Sequence, residues 1–268
     1  MIGAGLWRNP ILSREIDHRM RDNRTYFVPV VYISLLGLVT LGIYLTMGTL
    51  AAGGPSNFIQ GWEIGQFIFQ AVTFTQMGLI LMLVPSVSAG AITSERDKGT
   101  LVPLLVTPMK RSRITIGKLL APVLYVLLLL STSLPFAALS FGFGGTDLEM
   151  LAVAYGCMVS TTLYIASLGL LVSTVMKRTV PAVLLAYGLV AALVIGSAIA
   201  EVIVHVAFKD LDAIIFIYLN PFAPLVLAGE GALANEVNAH WWITPAVQMA
   251  MGAFFLFIAH LRIRNMRS

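Results

Sequence analysis

The sequence predicts an all-α integral membrane protein with six transmembrane helices, an N-terminal interfacial amphipathic helix, a polar block between spans two and three, and an outer hairpin before span six. Three observations carry this reading. Charged residues make up only 11% of the 268 residues and hydrophobic ones 58%, with a mean hydropathy of +0.87. A soluble domain averages about 25% charged residues, so this chain lacks the polar surface to sit alone in water. Apolar runs recur that are long enough to cross a hydrocarbon core, which takes about 20 residues. Finally, 16 of the 17 Lys and Arg residues fall in four segments that share one side of the membrane if there are six crossings.

The N-terminal arm is polar and holds Arg8, Arg14, Arg19, Arg21 and Arg24. The apolar run behind it is too long for a signal-peptide core, so it is expected to stay as an anchor. Asn9-Pro10 is a helix start, with Asn at the N-cap and Pro at the first helical position. After it, Ile11, Leu12, Ile16 and Met20 share a face, while Arg14, Asp17, Arg21 and Arg24 lie largely elsewhere. A helix over 9–24 in the inner membrane interface follows, serving either as an anchor on lipid or as a mechanical part.

Crossings are expected near 26–48, 64–92, 119–143, 150–176, 181–208 and 244–261. Basic residues collect in the N-terminal arm, in the block (Arg96, Lys98, Lys110, Arg111, Arg113, Lys118), after span four (Lys177, Arg178) and in the tail (Arg262, Arg264, Arg267). Only Lys209 falls on the other side. The positive-inside rule places both termini and the block, 93–118, in the cytoplasm. The net charge of +4 and pI of about 9.3 follow from the same asymmetry. No nucleic-acid motif accompanies them, so no nucleic-acid partner is expected.

Pro85 in span two and Pro122 and Pro135 in span three are expected to bend those helices. Span four is rich in small and hydroxyl residues: Gly156, Ser160, Thr161, Thr162, Ala166, Ser167, Gly169, Ser173 and Thr174. Such residues let helices approach closely; packing is the first reading and lining a path the second. In the outer loop, 209–243, the stretch AIIFIYLNPFAPLVLA from Ala213 could pass for a seventh crossing. That would put Arg262, Arg264 and Arg267 outside, and Asn220-Pro221 breaks the helix in its middle. Two half-length helices dipping in from the outer face are expected, with a surface helix–turn–helix as the other arrangement.

Within the block, Thr100 can cap a short helix over Leu101–Val106, and Pro103 falls in its first turn, where a missing N–H costs little. Leu101, Leu104 and Leu105 then stand at i, i+3 and i+4 on one face, and Thr107-Pro108 stops the helix. An exposed leucine face needs a cover: a partner protein, other ends of the same chain, or the membrane surface, to which the basic cluster would pin it.

Other chemistry is sparse. The only Gly-Lys is Gly117-Lys118, followed by Leu119 and preceded at the first-glycine position by Ser112, so the phosphate-binding loop is missing and no catalytic residue is assigned. Glu201 and His205 stand at i, i+4 near the outer end of span five, a possible polar site or simply an outer-interface pair. His240, Trp241 and Trp242 read as an aromatic belt, and His260 is placed to snorkel. No metal-ligand spacing, serine elbow or HExxH motif is present. The single cysteine, Cys157, forms no disulfide framework.

The run Gly90-Ala91-Ile92, Glu95-Arg96, Gly99-Thr100-Leu101, Leu104-Leu105, Thr107-Pro108, Ile114 and Gly117-Lys118 resembles the permease subunits of ABC type-2 exporters. The arm, with Asn9-Pro10-Ile11 and Arg14-Glu15, resembles the same family, as does the six-span plan. The resemblance implies that Gly99–Thr107 is a coupling helix resting in a cleft of a cytoplasmic ATPase, with Leu101, Leu104 and Leu105 as contacts. Glu95-Arg96 and Gly117-Lys118 would frame it. Val102 departs from the family, which often has an acidic residue there. The resemblance further implies two ATPase copies binding ATP and magnesium, a second permease chain, identical or homologous, and a bacterial inner membrane. A non-transporting subunit that passes ATPase motion to outer partners is the competing function. An intramembrane lipid enzyme lacks any catalytic constellation.

Overall fold

The computed structural model describes residues 23–52, 61–100, 111–144, 146–207, 217–223, 225 and 242–265. Among them are six long apolar helices, no strand and one 3-10 turn, Ile217–Leu219. The helices are α1 (Asn23–Ala52), α2 (Gly61–Asp97), α3 (Arg111–Gly142), α4 (Leu148–Val175), α5 (Thr179–Ala207) and α6 (Ile243–Asn265). Each covers one expected crossing. The largest differences lie at the ends that flank the polar block: α2 runs five residues past its expected end and α3 starts eight residues early. Apolarity stops there, but hydrogen bonding does not. Thr93, Thr115 and Lys118 are buried against other helices, so the polar stems stay wound. α2 continues through Pro85, and α3 through Pro122 and Pro135.

α4 is the hub, packing on α2, α3, α5 and α6. In its most apolar window 78% of the residues are buried, against 22% in α5 and α6 and 17% in α1, which packs on α2 and α3. The outward faces of these peripheral helices carry Val30, Leu38 and Leu41, Val180, Leu184 and Val202, and Phe254 and Phe257. Water would penalise that surface, whereas lipid tails match it.

α2 and α4 run parallel along a tight seam. A Cβ built on Gly169 would fall 1.9 Å from Ser88 Oγ and 3.2 Å from the Ala89 nitrogen, so only glycine allows this approach. One turn further, Ser173 Oγ accepts the main-chain N–H groups of Ile92 and Thr93, at 2.9 and 3.1 Å. On α6, Gly252 lies against Tyr164, where a Cβ would sit 3.2 Å from its Cα. Gly169 and Ser173 of span four thus serve packing. Other hydroxyls of the span are satisfied within the bundle: Thr162 and Ser167 donate to carbonyls four residues back, and Ser160 and Thr174 to carbonyls three back. With no water at that depth, an unpaired hydroxyl would cost several kcal/mol, about 2–7 by transfer data.

Gly169→Ala is expected to lower stability by about 1–3 kcal/mol, the range for overpacking a filled interior. Gly156→Ala, in the same helix with nothing near its Cβ position, is expected to change it by less than about 0.5 kcal/mol. Thermal unfolding of the two variants in detergent, side by side, checks the contrast.

Candidate functional site

Five helix ends meet at one end of the bundle, hereafter the basic end. They are the last turns of α2, α4 and α6 and the first turns of α3 and α5. Thr115 Oγ1 on α3 lies 3.4 Å from His260 Nδ1 on α6, so this histidine faces the bundle rather than snorkelling. At the opposite end Tyr44 of α1 packs on Phe143, with ring centroids 6.1 Å apart, so the start of α1 also belongs to the basic end. The described helix ends that border the basic segments of the sequence are therefore brought to one end of the bundle by packing alone.

The stems of the block are clamped at this end. Lys118 Nζ, only 5% exposed, lies 3.3 Å from Glu95 Oε1 and donates to it, joining α3 to α2 across the mouth of the loop. Glu95 is itself a quarter exposed. Its other carboxylate oxygen accepts the Thr100 hydroxyl. Gly117 sits buried beside Lys118.

α2 ends in a Schellman motif built on Gly99. The Thr100 N–H donates to the Glu95 carbonyl at 2.9 Å, and the Gly99 N–H to the Arg96 carbonyl at 3.1 Å. Gly99 adopts φ of +71°, the left-handed region that L side chains rarely enter. One carboxylate thus organises both stems: its main chain closes the helix, and its side chain holds the lysine across the loop.

The next two residues of α2 turn to other helices. Arg96 donates to the Met176 carbonyl at 2.6 Å, and Asp97 Oδ2 accepts the Thr179 N–H at 3.0 Å and its hydroxyl at 2.6 Å. Glu95 and Arg96 stood out in the sequence, but Asp97 and Thr179 did not. The available signal was local: α5 follows Lys177-Arg178, cations at a helix start where an anion is favoured.

A second polar centre lies deeper in the bundle. Gln248 on α6 accepts from Thr161 Oγ1 at 2.8 Å and Ser160 Oγ at 3.4 Å, and donates to the Asn220 carbonyl at 3.4 Å. The Asn220 amide donates to the Val194 carbonyl, near the middle of α5, at 3.2 Å, while its Oδ1 accepts the Phe222 N–H at 2.9 Å. Phe222 stacks on Phe74 of α2, and Ala223 and Leu225 are buried. Asn220-Pro221 is thus a turn locked against α2, α5 and α6. Sequence reading singled out Asn220 but passed over Gln248, although a glutamine inside an apolar run is itself a signal.

The remaining expected sites fall elsewhere. Asn9, Pro10, Ile11, Arg14, Glu15, Ile16 and Met20, together with Leu101, Leu104, Leu105, Thr107 and Pro108, lie outside the described residues, as do the loop flanks 209–216 and 226–241. Glu201 and His205 belong to the last turns of α5, and their side chains also lie outside the described set.

The family model described as ABC-2 family transporter protein matches residues 9–261. The chain belongs to the ABC-2 transporter family. No curated protein matches it. As an ABC-2 member it is a membrane permease component of an ABC transporter, and the family implies an ATP-binding partner subunit.

Lys118→Met in this permease removes the lysine from the Glu95 carboxylate. It is expected to cost about 3 kcal/mol, the low end for breaking a shielded pair because Glu95 keeps some water. The pair Lys118→Met with Glu95→Gln is expected to recover at least half, as read by a double-mutant cycle on thermal unfolding. Separately, Gly99→Val should cost about 1–2 kcal/mol for its left-handed backbone. Amide hydrogen exchange over Glu95–Thr100 should then accelerate several-fold.

Proposed function

We propose that the chain is the permease of an ATP-driven exporter in a bacterial inner membrane, with both termini and the 93–118 block cytoplasmic. Two ABC ATPase subunits dock on the block, and a second permease chain, identical or homologous, completes the pathway. ATP and its magnesium belong to the ATPases; this chain contributes no catalytic group. Leu101, Leu104 and Leu105 form the coupling face, and the helix over 9–24 lies in the inner interface. Closure of the ATPases pushes the block, and the bundle switches access from inside to outside.

The observation that carries this reading is the Glu95–Lys118 clamp. A solvated loop needs no shielded ion pair across its mouth. A loop that receives force does, because its stems must move as one. The Schellman turn at Gly99 supports the same reading by fixing where the chain leaves α2. Basic residues gathered at one end support the orientation through the positive-inside rule. The locked Asn220-Pro221 turn, bonded to the middle of α5, supports a re-entrant outer hairpin.

That same turn favours a second reading, in which the chain passes ATPase motion to outer partners without moving a solute itself. The hairpin would then be the docking feature.

Co-expression with candidate ATPases followed by pull-down is expected to recover a complex that Leu101→Asp with Leu105→Asp reduces at least tenfold. An intact complex in that variant removes the coupling role. In reconstituted vesicles, ATP-dependent solute movement is expected for an exporter. Hydrolysis without solute movement, altered by an outer partner, selects the second reading instead.

A further inference from the structure

Helix ends carry partial charges, positive at the N-terminus and negative at the C-terminus, each about half a unit. Between α4 and α5 lies a short joint, Met176–Arg178, where one end of each sign comes within reach of α2. Arg96, half-buried, donates at 2.6 Å to the carbonyl of Met176, the C-cap of α4. Asp97, the adjacent residue, takes both the N–H and the hydroxyl of Thr179, the first residue of α5. The preceding residue in α5's own sequence is Arg178, which can neither cap those amides nor complement the dipole. Opposite charges on neighbouring residues of one helix therefore close the facing ends of two others.

Asp97 is exposed, and an exposed pair of charges would contribute little by itself. Here the bonds act together over a joint too short to swing independently. They also continue the α2–α4 seam, whose previous steps are Gly169 on Ser88 and Ser173 on Ile92 and Thr93. α5 is tied to α2 a second time further along, where Tyr187 donates to the Met82 carbonyl at 2.5 Å.

We propose that Arg96 and Asp97 form a clasp that makes the inner end of α2, the α4–α5 joint and the start of α5 one moving part. Glu95 holds the loop stems together, and the next two residues hand their displacement to α5. Arg96 and Asp97 are positioning residues: they touch no substrate and act through the joint. The source of the displacement rests on the coupling reading above; the clasp itself rests on the three bonds.

The test uses the full-length protein in lipid nanodiscs, with spin labels on cysteines introduced at Lys98 and Lys177, both exposed; the native Cys157 is buried. The distance distribution is expected to be narrow in the otherwise unaltered protein and with Thr179→Ser, which keeps the hydroxyl. It should broaden at least twofold with Asp97→Ala and with Thr179→Val. A distribution that is already broad, or one that Asp97→Ala leaves narrow, overturns the clasp.

A second arm uses the complex with the ATPase recovered by pull-down, with and without ATP and vanadate. Labels at Lys98 and Leu184 are each measured against one at Phe27, whose side chain on α1 is exposed. Both distances are expected to shift together in the unaltered protein, and only the Lys98 distance in Asp97→Ala, with ATPase binding retained. If both still shift together in Asp97→Ala, transmission through the clasp is wrong. If neither shifts in the unaltered complex, the coupling reading fails, while the first arm still decides the clasp.

Discussion

The parallel seam between α2 and α4 is the constraint on which the other contacts depend. Gly169 leaves no room for a side chain because the Ser88 side chain of α2, backed by the Ala89 nitrogen, occupies that space. The approach brings Ser173 close enough to take two amide protons from α2, which a wider spacing would forbid. The same approach delivers the end of α2 to the α4–α5 joint, where Arg96 and Asp97 find their partners. In lipid the hydrophobic effect does not drive helices together, because the tails are as apolar as the side chains. Close packing and satisfied polar groups must do so instead, and this seam supplies both.

Polar residues are few here, and at the basic end Glu95, Arg96 and Asp97 are each committed to a helix end or to another stem. Glu95 serves the turn at Gly99 and the lysine of α3; Arg96 and Asp97 serve the ends of α4 and α5. Deeper in the bundle, Gln248 and Asn220 play the corresponding part, joining α4, α5 and α6 through main-chain and side-chain bonds. Low dielectric makes an unpaired polar group costly and a paired one directional. A chain with 11% charged residues can therefore hold definite contacts at the positions where it keeps them.

Much of this was legible in the sequence, for reasons specific to each residue. Apolar runs had to be helices, since no other open structure satisfies its own backbone in lipid. Glu95-Arg96 and Gly117-Lys118 stood out through the family resemblance, and Asn220-Pro221 because it breaks a helix. Gly99 was read as the start of a loop helix, whereas the backbone uses it to finish α2. Asp97 and Thr179 escaped notice because they are 82 residues apart, and no local pattern pairs an acid with a distant helix start. The extension of α2 and α3 past their apolar runs escaped for the same reason: tertiary hydrogen bonds, not hydropathy, keep those turns wound.

By itself, the sequence determined the class of the protein, the number of crossings and the clustering of its basic segments, because length, apolarity and charge act through the solvent each segment meets. Family membership was legible too, in the motif around 90–118. Tertiary structure alone decided which helix is central, which glycine is indispensable and which partner each charge takes. Those depend on distances between segments far apart in the chain, set by how closely two helices can pack. Glu95 was conspicuous through the family resemblance, but that it clamps Lys118 of α3 while Arg96 and Asp97 grip the facing ends of α4 and α5 follows only from how the helices pack.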